Sequence, residues 1–135
     1  MVGCPFCEEF PETRDHLFVK CQFVWNLWCQ LCRWWGVSWC CPQSLEELYT
    51  QWPGLVGNNR ARAPWVVVFF VNIWNLWVSR NKLVFEAKVV DWGKMLESVW
   101  FKATQPSYCY DLSTLLINAE SALAWNGPGC TFVLK

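Results

Sequence analysis

The first 21 residues hold the pattern that most constrains this chain. Cys4 and Cys7 are separated by two residues, and His16 and Cys21 by four. Two thiolates in so short a turn can reach one ion, and the small loop loses little chain entropy on closure. Three cysteines and a histidine at these spacings form a tetrahedral Cys₃His ligand set, which suits Zn²⁺ best. We therefore expect one structural zinc ion bound by Cys4, Cys7, His16 and Cys21.

A plainer interpretation is also open, in which the three cysteines are ordinary thiols and His16 is a solvated residue at a helix start. Zinc is favoured because His16 is the only histidine in the chain and falls inside the pattern. Residues five apart on an ideal α-helix differ by about 140° around the axis, so His16 is expected at the helix mouth and not in its body. Thr13 fits an N-cap there, and Asp15 places negative charge in the first turn.

Composition adds two expectations. Only 16% of the 135 residues are charged, 54% are hydrophobic and twelve are tryptophan, so we expect either an exposed apolar patch or a missing partner surface. The formal net charge is zero, and the whole molecule therefore gives no electrostatic case for nucleic acid. Basic residues exceed acidic ones only from Arg60 onward, so a polyanion would be expected to contact the second half.

The cellular location is predicted to be intracellular, nuclear or cytoplasmic, and not secreted. No signal-peptide pattern precedes Cys4, and in a reducing compartment the nine cysteines serve as metal ligands or small core residues. The most apolar run, residues 65–78, is shorter than the roughly 20 residues that span a bilayer. We therefore expect a buried helix there and no membrane segment.

Apolar spacing predicts a mostly α fold, with the small knuckle leading into a bundle-like array of four to five helices. A stripe at intervals of three and four begins at Leu17 and predicts one continuous helix that ends near Gly36. Ser44 and Glu47 have the form of a capping box, which predicts a short helix over residues 45–51. The dipeptide Pro53-Gly54 is expected to end it.

Pro64 is predicted to be the first residue of a long helix over residues 64–84. Residues 66–71 could form a strand on local propensity, but the apolar run is too long for one. Asp91 is expected to cap a helix over residues 92–104, and a last helix is predicted over residues 112–124. The predicted organisation is a knuckle with its helix (1–36), a linker with a short helix (37–63), a helical segment (64–125) and a tail that starts a following domain (126–135), where residues 131–134 begin a strand.

Three blocks of sequence resemble a known family. Cys4-Pro-Phe-Cys7, Glu12-Thr13, His16-Leu-Phe, Cys21 and Val24-Trp25 resemble the zinc-binding domain that follows the reverse transcriptase in plant non-LTR retrotransposon polyproteins. The stretch from Ile73-Trp74 through Arg80-Asn81 to Phe85-Glu86 resembles the tryptophan-rich segment between that domain and the RNase H domain. Trp125-Asn-Gly-Pro is similar to the beginning of the RNase H domain.

The resemblance implies a non-catalytic zinc-binding module with weak binding of RNA or single-stranded DNA. The family has a helical portion ahead of its first cysteine, which the three residues before Cys4 do not supply. We therefore expect an excised or decayed piece of a polyprotein. Its hydrophobic excess would then be surface that once met neighbouring domains.

No enzyme is expected from the acidic residues. Polymerase and RNase H chemistry needs clustered carboxylates that hold two metal ions. The only aspartates, Asp15, Asp91 and Asp111, are each placed like a helix cap. A zinc hydrolase needs an open coordination position, and a Cys₃His set uses all four.

A second metal site is not favoured either. Cys29 and Cys32 are again two residues apart, but they lie within the helical pattern and no later cysteine or histidine pair matches them. Buried thiols are the better explanation.

Two functional classes remain. In a nucleic-acid-binding module, phosphate contacts would come from Arg60, Arg62, Arg80, Lys82 and Lys88. Phe6 and Phe23 are the aromatic residues near the metal that could stack on bases, although packing is the commoner role. In the alternative, the chain is a structural or protein-interaction fragment without nucleic-acid binding, and exposed tryptophans mediate self-association.

Overall fold

The longest helix of the computed structural model organises the fold around itself. The structure describes residues 3–38, 42–57 and 59–104, and these ranges are mostly helical, as predicted. The helical elements are a π-helical turn (His16–Lys20), α1 (Gln22–Trp34), α2 (Leu45–Gln51), a 3₁₀ turn (Trp52–Leu55), α3 (Asn59–Glu86) and α4 (Trp92–Thr104). Helix α3 packs against α4 along its second half and meets the 3₁₀ turn near its start.

Helix α3 is hydrophobic on every side. All residues from 65 to 73 are buried except Val66, which is half-buried. A helix with this composition is stable only when neighbours cover its whole circumference. The prediction of a buried helix over this run is confirmed. Among the described residues, no helix combines the length and the apolar character that crossing a membrane requires.

The predicted start of this helix is wrong. Helix α3 begins at Asn59, so Pro64 lies inside its first two turns and not at its first position. Proline lacks the N–H that would bond to the carbonyl four residues earlier. Near the helix start this removes one hydrogen bond while the fixed φ of proline still suits the helix.

The predicted continuous helix from Leu17 to Gly36 is interrupted. Cys21 adopts an extended ψ of 133°, which separates the π-helical turn from α1. The predicted end is confirmed: Gly36 has φ +66°, and the N–H of Val37 donates to the Cys32 carbonyl at 2.9 Å. This is a Schellman motif, in which glycine adopts the left-handed conformation at no steric cost.

Two predicted caps are present. The Ser44 hydroxyl accepts a hydrogen bond from the Glu47 N–H at 3.1 Å, and α2 spans the predicted residues 45–51. The Glu47 carboxylate accepts from the N–H of Gln43, one residue before the usual partner in a capping box. Asp91 accepts from the Lys94 N–H at 3.1 Å and caps α4, which covers the predicted residues 92–104.

An aromatic core joins α1, the 3₁₀ turn and α3. Trp52 and Trp65 stack with ring centroids 4.0 Å apart and planes 4° apart. Each indole N–H donates to the backbone carbonyl of the other residue, at 2.7 and 2.6 Å. Trp28 packs edge-on against Trp52 and donates to the carbonyl of Phe18 at 2.7 Å. The core therefore buries these large rings together with their polar groups satisfied.

Several predictions fall on residues outside the described ranges. They are the helix over residues 112–124, the strand over residues 131–134 and the tail 126–135. The division of the chain into four segments stays a prediction.

Candidate metal centre

Backbone hydrogen bonds shape the N-terminal knuckle, which we define as residues 3–21. The N–H of Cys4 donates to the carbonyl of Phe10 at 2.7 Å, and the N–H of Glu8 donates to that of Cys4 at 2.8 Å. A β-bridge between Gly3 and Pro11 closes the loop. Glu8 has φ +60°, a left-handed conformation that glycine adopts more easily. The closed loop holds the Cys4 and Cys7 thiols beside each other.

The second half of the knuckle begins with a cap and continues as a π-helical turn. The Thr13 hydroxyl accepts a hydrogen bond from the N–H of His16 at 3.1 Å, so the predicted N-cap is present. The N–H of Cys21 donates to the carbonyl of His16 at 2.7 Å, across five residues. A π-turn holds more residues than an α-turn, so residues five apart return to nearly the same side. His16 and Cys21 thereby face one point, although an ideal α-helix would direct them apart.

The four predicted ligands come together. Their Sγ and ring-nitrogen atoms all lie within 4.8 Å of one another, and the Cys7 Sγ is 3.3 Å from His16 Nε2. In a tetrahedral site with Zn–S bonds of about 2.3 Å, ligand atoms are separated by about 3.8 Å. A single ion can therefore contact all four after small side-chain adjustments. The predicted cluster is confirmed as a candidate metal site.

The environment favours the metal-binding forms of Cys21 and His16 but not of Cys4. A hydrogen bond between the two buried thiols raises the pKa of Cys4 and lowers the pKa of Cys21, so Cys21 is the more readily ionised. Burial lowers the pKa of His16, and the nearby Lys20 ammonium lowers it further. Thiolate and neutral imidazole are the forms that bind a metal ion.

Aromatic side chains attach the knuckle and α1 to α4. Phe6 contacts Trp92 edge-on with centroids 5.2 Å apart, and Phe23 stacks on the same indole at 5.9 Å. Both phenylalanines therefore contribute to packing between elements. Phe10 lies against the His16 ring, with ring centroids 5.4 Å apart.

A buried ion pair attaches the knuckle to α3. Arg80 Nη2 lies 2.6 Å from Glu12 Oε1, with side-chain exposures of 10% and 1%. The guanidinium also donates to Asn81 Oδ1 at 3.1 Å. This argues against the prediction that Arg80 contacts phosphate, because its charged group is enclosed and paired with a carboxylate inside the fold. Sequence reasoning took Glu12 as part of a motif and did not identify it as the partner of Arg80.

The other predicted phosphate contacts do not form one surface. Arg62, Lys82 and Lys88 are exposed, and the Lys88 ammonium lies 3.9 Å from the Glu86 carboxylate. Arg62 and Lys82 are at opposite ends of α3, about 30 Å apart along its axis. Arg60 lies in α3, with its side chain outside the described part of the structure.

The second Cys-x-x-Cys lies within α1, as predicted. Cys32 is buried, and burial raises the pKa of its thiol to about 12. A thiol with so high a pKa stays neutral and behaves as a small core residue. A metal ion can be held by three or more clustered His, Cys, Asp or Glu side chains. Within residues 3–38, 42–57 and 59–104, the Cys₃His cluster is the one group of this kind.

Comparisons with models of protein families, with curated proteins and with solved structures found no match for this chain. The resemblance to a retrotransposon zinc-binding domain thus stays a prediction based on the motifs. The function must be argued from the site itself.

Proposed function

We propose that this chain is a non-catalytic zinc-binding module derived from the reverse-transcriptase polyprotein of a plant retrotransposon, with weak nucleic-acid binding in the nucleus or cytoplasm. One observation carries the proposal: three sulfur atoms and an imidazole nitrogen, from both halves of the knuckle, lie within 4.8 Å of one another. Zn²⁺ is the ion that most commonly takes such a ligand set in tetrahedral geometry.

A structural role fits the position of these ligands. Cys4 and Cys21 are buried, and four protein ligands leave no open position for a water or a substrate. Leu17, Phe18 and Val19 of the π-turn are buried in the core, but the loop over residues 3–11 is closed by a few backbone hydrogen bonds and one β-bridge. Metal binding would therefore supply much of the free energy that orders it.

Weak binding of nucleic acid is supported by the charges. The net charge is zero, and Glu8 and Glu9 are exposed beside the site. A zinc ion with three thiolates carries a net charge of about −1. Electrostatic attraction by the knuckle itself is therefore poor, and any complex would use a few phosphates and depend strongly on salt.

Metal analysis of protein purified without chelator tests the proposal. We expect one zinc per chain, lost in Cys4→Ser and in His16→Ala together with part of the helical circular-dichroism signal. Cys29→Ser is the matched control, because this cysteine lies outside the cluster and should leave the zinc content unchanged. A metal-free wild-type chain that keeps its full helical signal in chelator would contradict the proposal.

A second candidate is a structural or protein-interaction fragment that self-associates. Trp34 and Trp100 contact each other edge-on across α1 and α4, yet 41% and 45% of their surfaces stay exposed. Phe101 beside them is 58% exposed. Apolar side chains of this size, grouped at the surface, are typical of contact sites.

Sedimentation velocity over a range of protein concentrations distinguishes this candidate. Self-association through the patch predicts a dimer that Trp100→Ser with Phe101→Ser converts to a monomer. The matched control is Val84→Ser with Phe85→Ser, two exposed apolar residues near the end of α3. A monomer at every concentration would remove self-association as a function.

A further inference from the structure

A polar groove lies at the surface where the second half of α3 packs against α4. Its volume is about 360 Å³, and three lysines line it: Lys82 from α3 and Lys94 and Lys102 from α4. Lys94 and Lys102 are about 12 Å apart along α4, so the positive charge extends along the groove and does not gather at one point. The sequence indicated only Lys82, because the lysines of α4 join it only when the two helices pack together.

The three ammonium groups have no acidic partner in the described part of the chain. No carboxylate of residues 3–38, 42–57 or 59–104 lies within 4.0 Å of them, whereas Lys88 lies beside Glu86. Asp91 also lines the groove, but its carboxylate caps α4 by accepting from the Lys94 N–H. The groove therefore has a net positive charge in a molecule whose total charge is zero.

Neutral groups in the groove add hydrogen-bonding and stacking capacity. The Asn75 side-chain nitrogen is shielded from solvent and has no hydrogen-bond acceptor. An unpaired amide N–H costs free energy, which an acceptor that reaches it would recover. Ser79 and Ser98 place hydroxyls along the walls, and the half-buried indole of Trp74 lines the same space.

We propose that this groove binds a single-stranded nucleic acid through its phosphates. Lys82, Lys94 and Lys102 contact successive phosphates, and the Asn75 amide donates to an acceptor on the strand. The face of Trp74 stacks on a base, which gives affinity without sequence preference. The inference rests on the proposed nucleic-acid binding and names the surface that performs it.

Fluorescence anisotropy of a labelled oligothymidylate of about 20 nucleotides tests this assignment. The test variant replaces Lys82, Lys94 and Lys102 with Gln. The matched control replaces Arg14, Lys20 and Arg33 with Gln, which removes the same charge from positions outside the groove that were not predicted to contact phosphate. Circular dichroism and zinc content check that both variants fold as the wild type does.

Three phosphate contacts predict a log–log salt slope of about −2 between about 50 and 200 mM salt. The groove variant should lose most of that slope and bind on the order of 10²-fold more weakly at the lower salt. The control should stay within about threefold of wild type, because diffuse surface charge contributes little at these salt concentrations.

The outcomes distinguish the assignment of the groove from the general proposal that the chain binds nucleic acid. Equal weakening in both variants, or weakening only in the control, overturns the groove while nucleic-acid binding stands. No complex with wild type at low salt overturns both. Vesicles containing phosphatidylserine form a second arm: tighter binding to them than to the oligonucleotide, lost in the groove variant, would assign the lysines to a lipid surface and overturn the nucleic-acid ligand.

Discussion

The knuckle and the aromatic core are stabilised by different interactions. In the knuckle, four ligand side chains meet at one point and backbone hydrogen bonds close a small loop around them. In the core, Trp28, Trp52 and Trp65 are fully buried and satisfy their indole N–H groups within the fold. On the proposed function, the first region depends on a metal ion, whereas the second depends on apolar burial. We therefore expect the chain to lose order in one region and keep it in the other.

Removal of the metal tests this difference most strongly. Structural zinc contributes on the order of 10 kcal/mol to folding in zinc-finger peptides. We expect chelator to abolish amide protection in the knuckle, above all the slow exchange of the Cys4 and Cys21 N–H groups. Amides of α3 near Trp65 should stay protected. Hydrogen exchange with and without chelator measures both regions at once, and simultaneous loss of protection would show that they form one cooperative unit.

Acidification should reproduce the effect of chelator, because protons compete with the metal for thiolate and imidazole. The direction of this pH dependence agrees with the one expected from His16, whose pKa is lowered by burial. Its neutral form contributes stability fully above the ordinary histidine pKa, and this contribution is lost as pH falls through the lower folded-state value. The zinc content of dialysed protein at a series of pH values measures the release.

Trp52→Ala tests the core. Trp52 is 1% exposed and stacks on Trp65, so truncation leaves a cavity and removes a hydrogen bond to the Trp65 carbonyl. We expect the free energy of unfolding to fall by about 3–5 kcal/mol in urea denaturation. Trp34→Ala is the matched control, with a ring that is 41% exposed, and should lose about 1 kcal/mol or less. Equal losses would contradict the division between core and surface.

The buried ion pair between Glu12 and Arg80 tests how the two regions are joined. Arg80→Met leaves the Glu12 carboxylate enclosed without its partner, so we expect a loss of about 3 kcal/mol. Glu12→Leu combined with Arg80→Met should recover much of it, because an apolar pair needs no desolvation of charge. A double-mutant cycle measures the coupling. If the double variant loses the sum of the single losses, the pair does not couple the knuckle to α3.

The ligand set and several helix ends could be predicted because they depend on local chemistry. The spacing of Cys4 and Cys7, the capping by Ser44 and Asp91 and the left-handed Gly36 each involve residues close in sequence. The π-helical turn was not predicted: the spacing shows that His16 and Cys21 cannot face one point from an ideal α-helix, but it does not indicate which local conformation brings them together.

Contacts between residues far apart in the chain could not be predicted from the sequence, for a different reason. Glu12 and Arg80 are far apart in the chain, and neither position indicates that the other lies beside it. Lys82, Lys94 and Lys102 line one groove only because α3 and α4 pack side by side. Pro64 was placed at the helix start because proline is favoured at the first helical position, yet α3 begins earlier and its buried surface outweighs one missing hydrogen bond.

Glu8→Gly has the smallest expected effect of these changes and tests whether the knuckle folds independently of the rest of the chain. Glu8 has φ +60°, which strains an L-residue by about 1 kcal/mol, and its side chain is exposed. We expect glycine there to stabilise the zinc-bound knuckle by several tenths of a kcal/mol, since relief of strain exceeds the added chain entropy.

Ala87→Gly is the matched control at φ +54° after α3. If the regions are independent, Glu8→Gly raises zinc affinity measured by chelator competition, whereas Ala87→Gly raises only the thermal midpoint. A rise in zinc affinity from Ala87→Gly would mean that strain at the end of α3 is transmitted to the metal site, and the two regions would then share one folding transition.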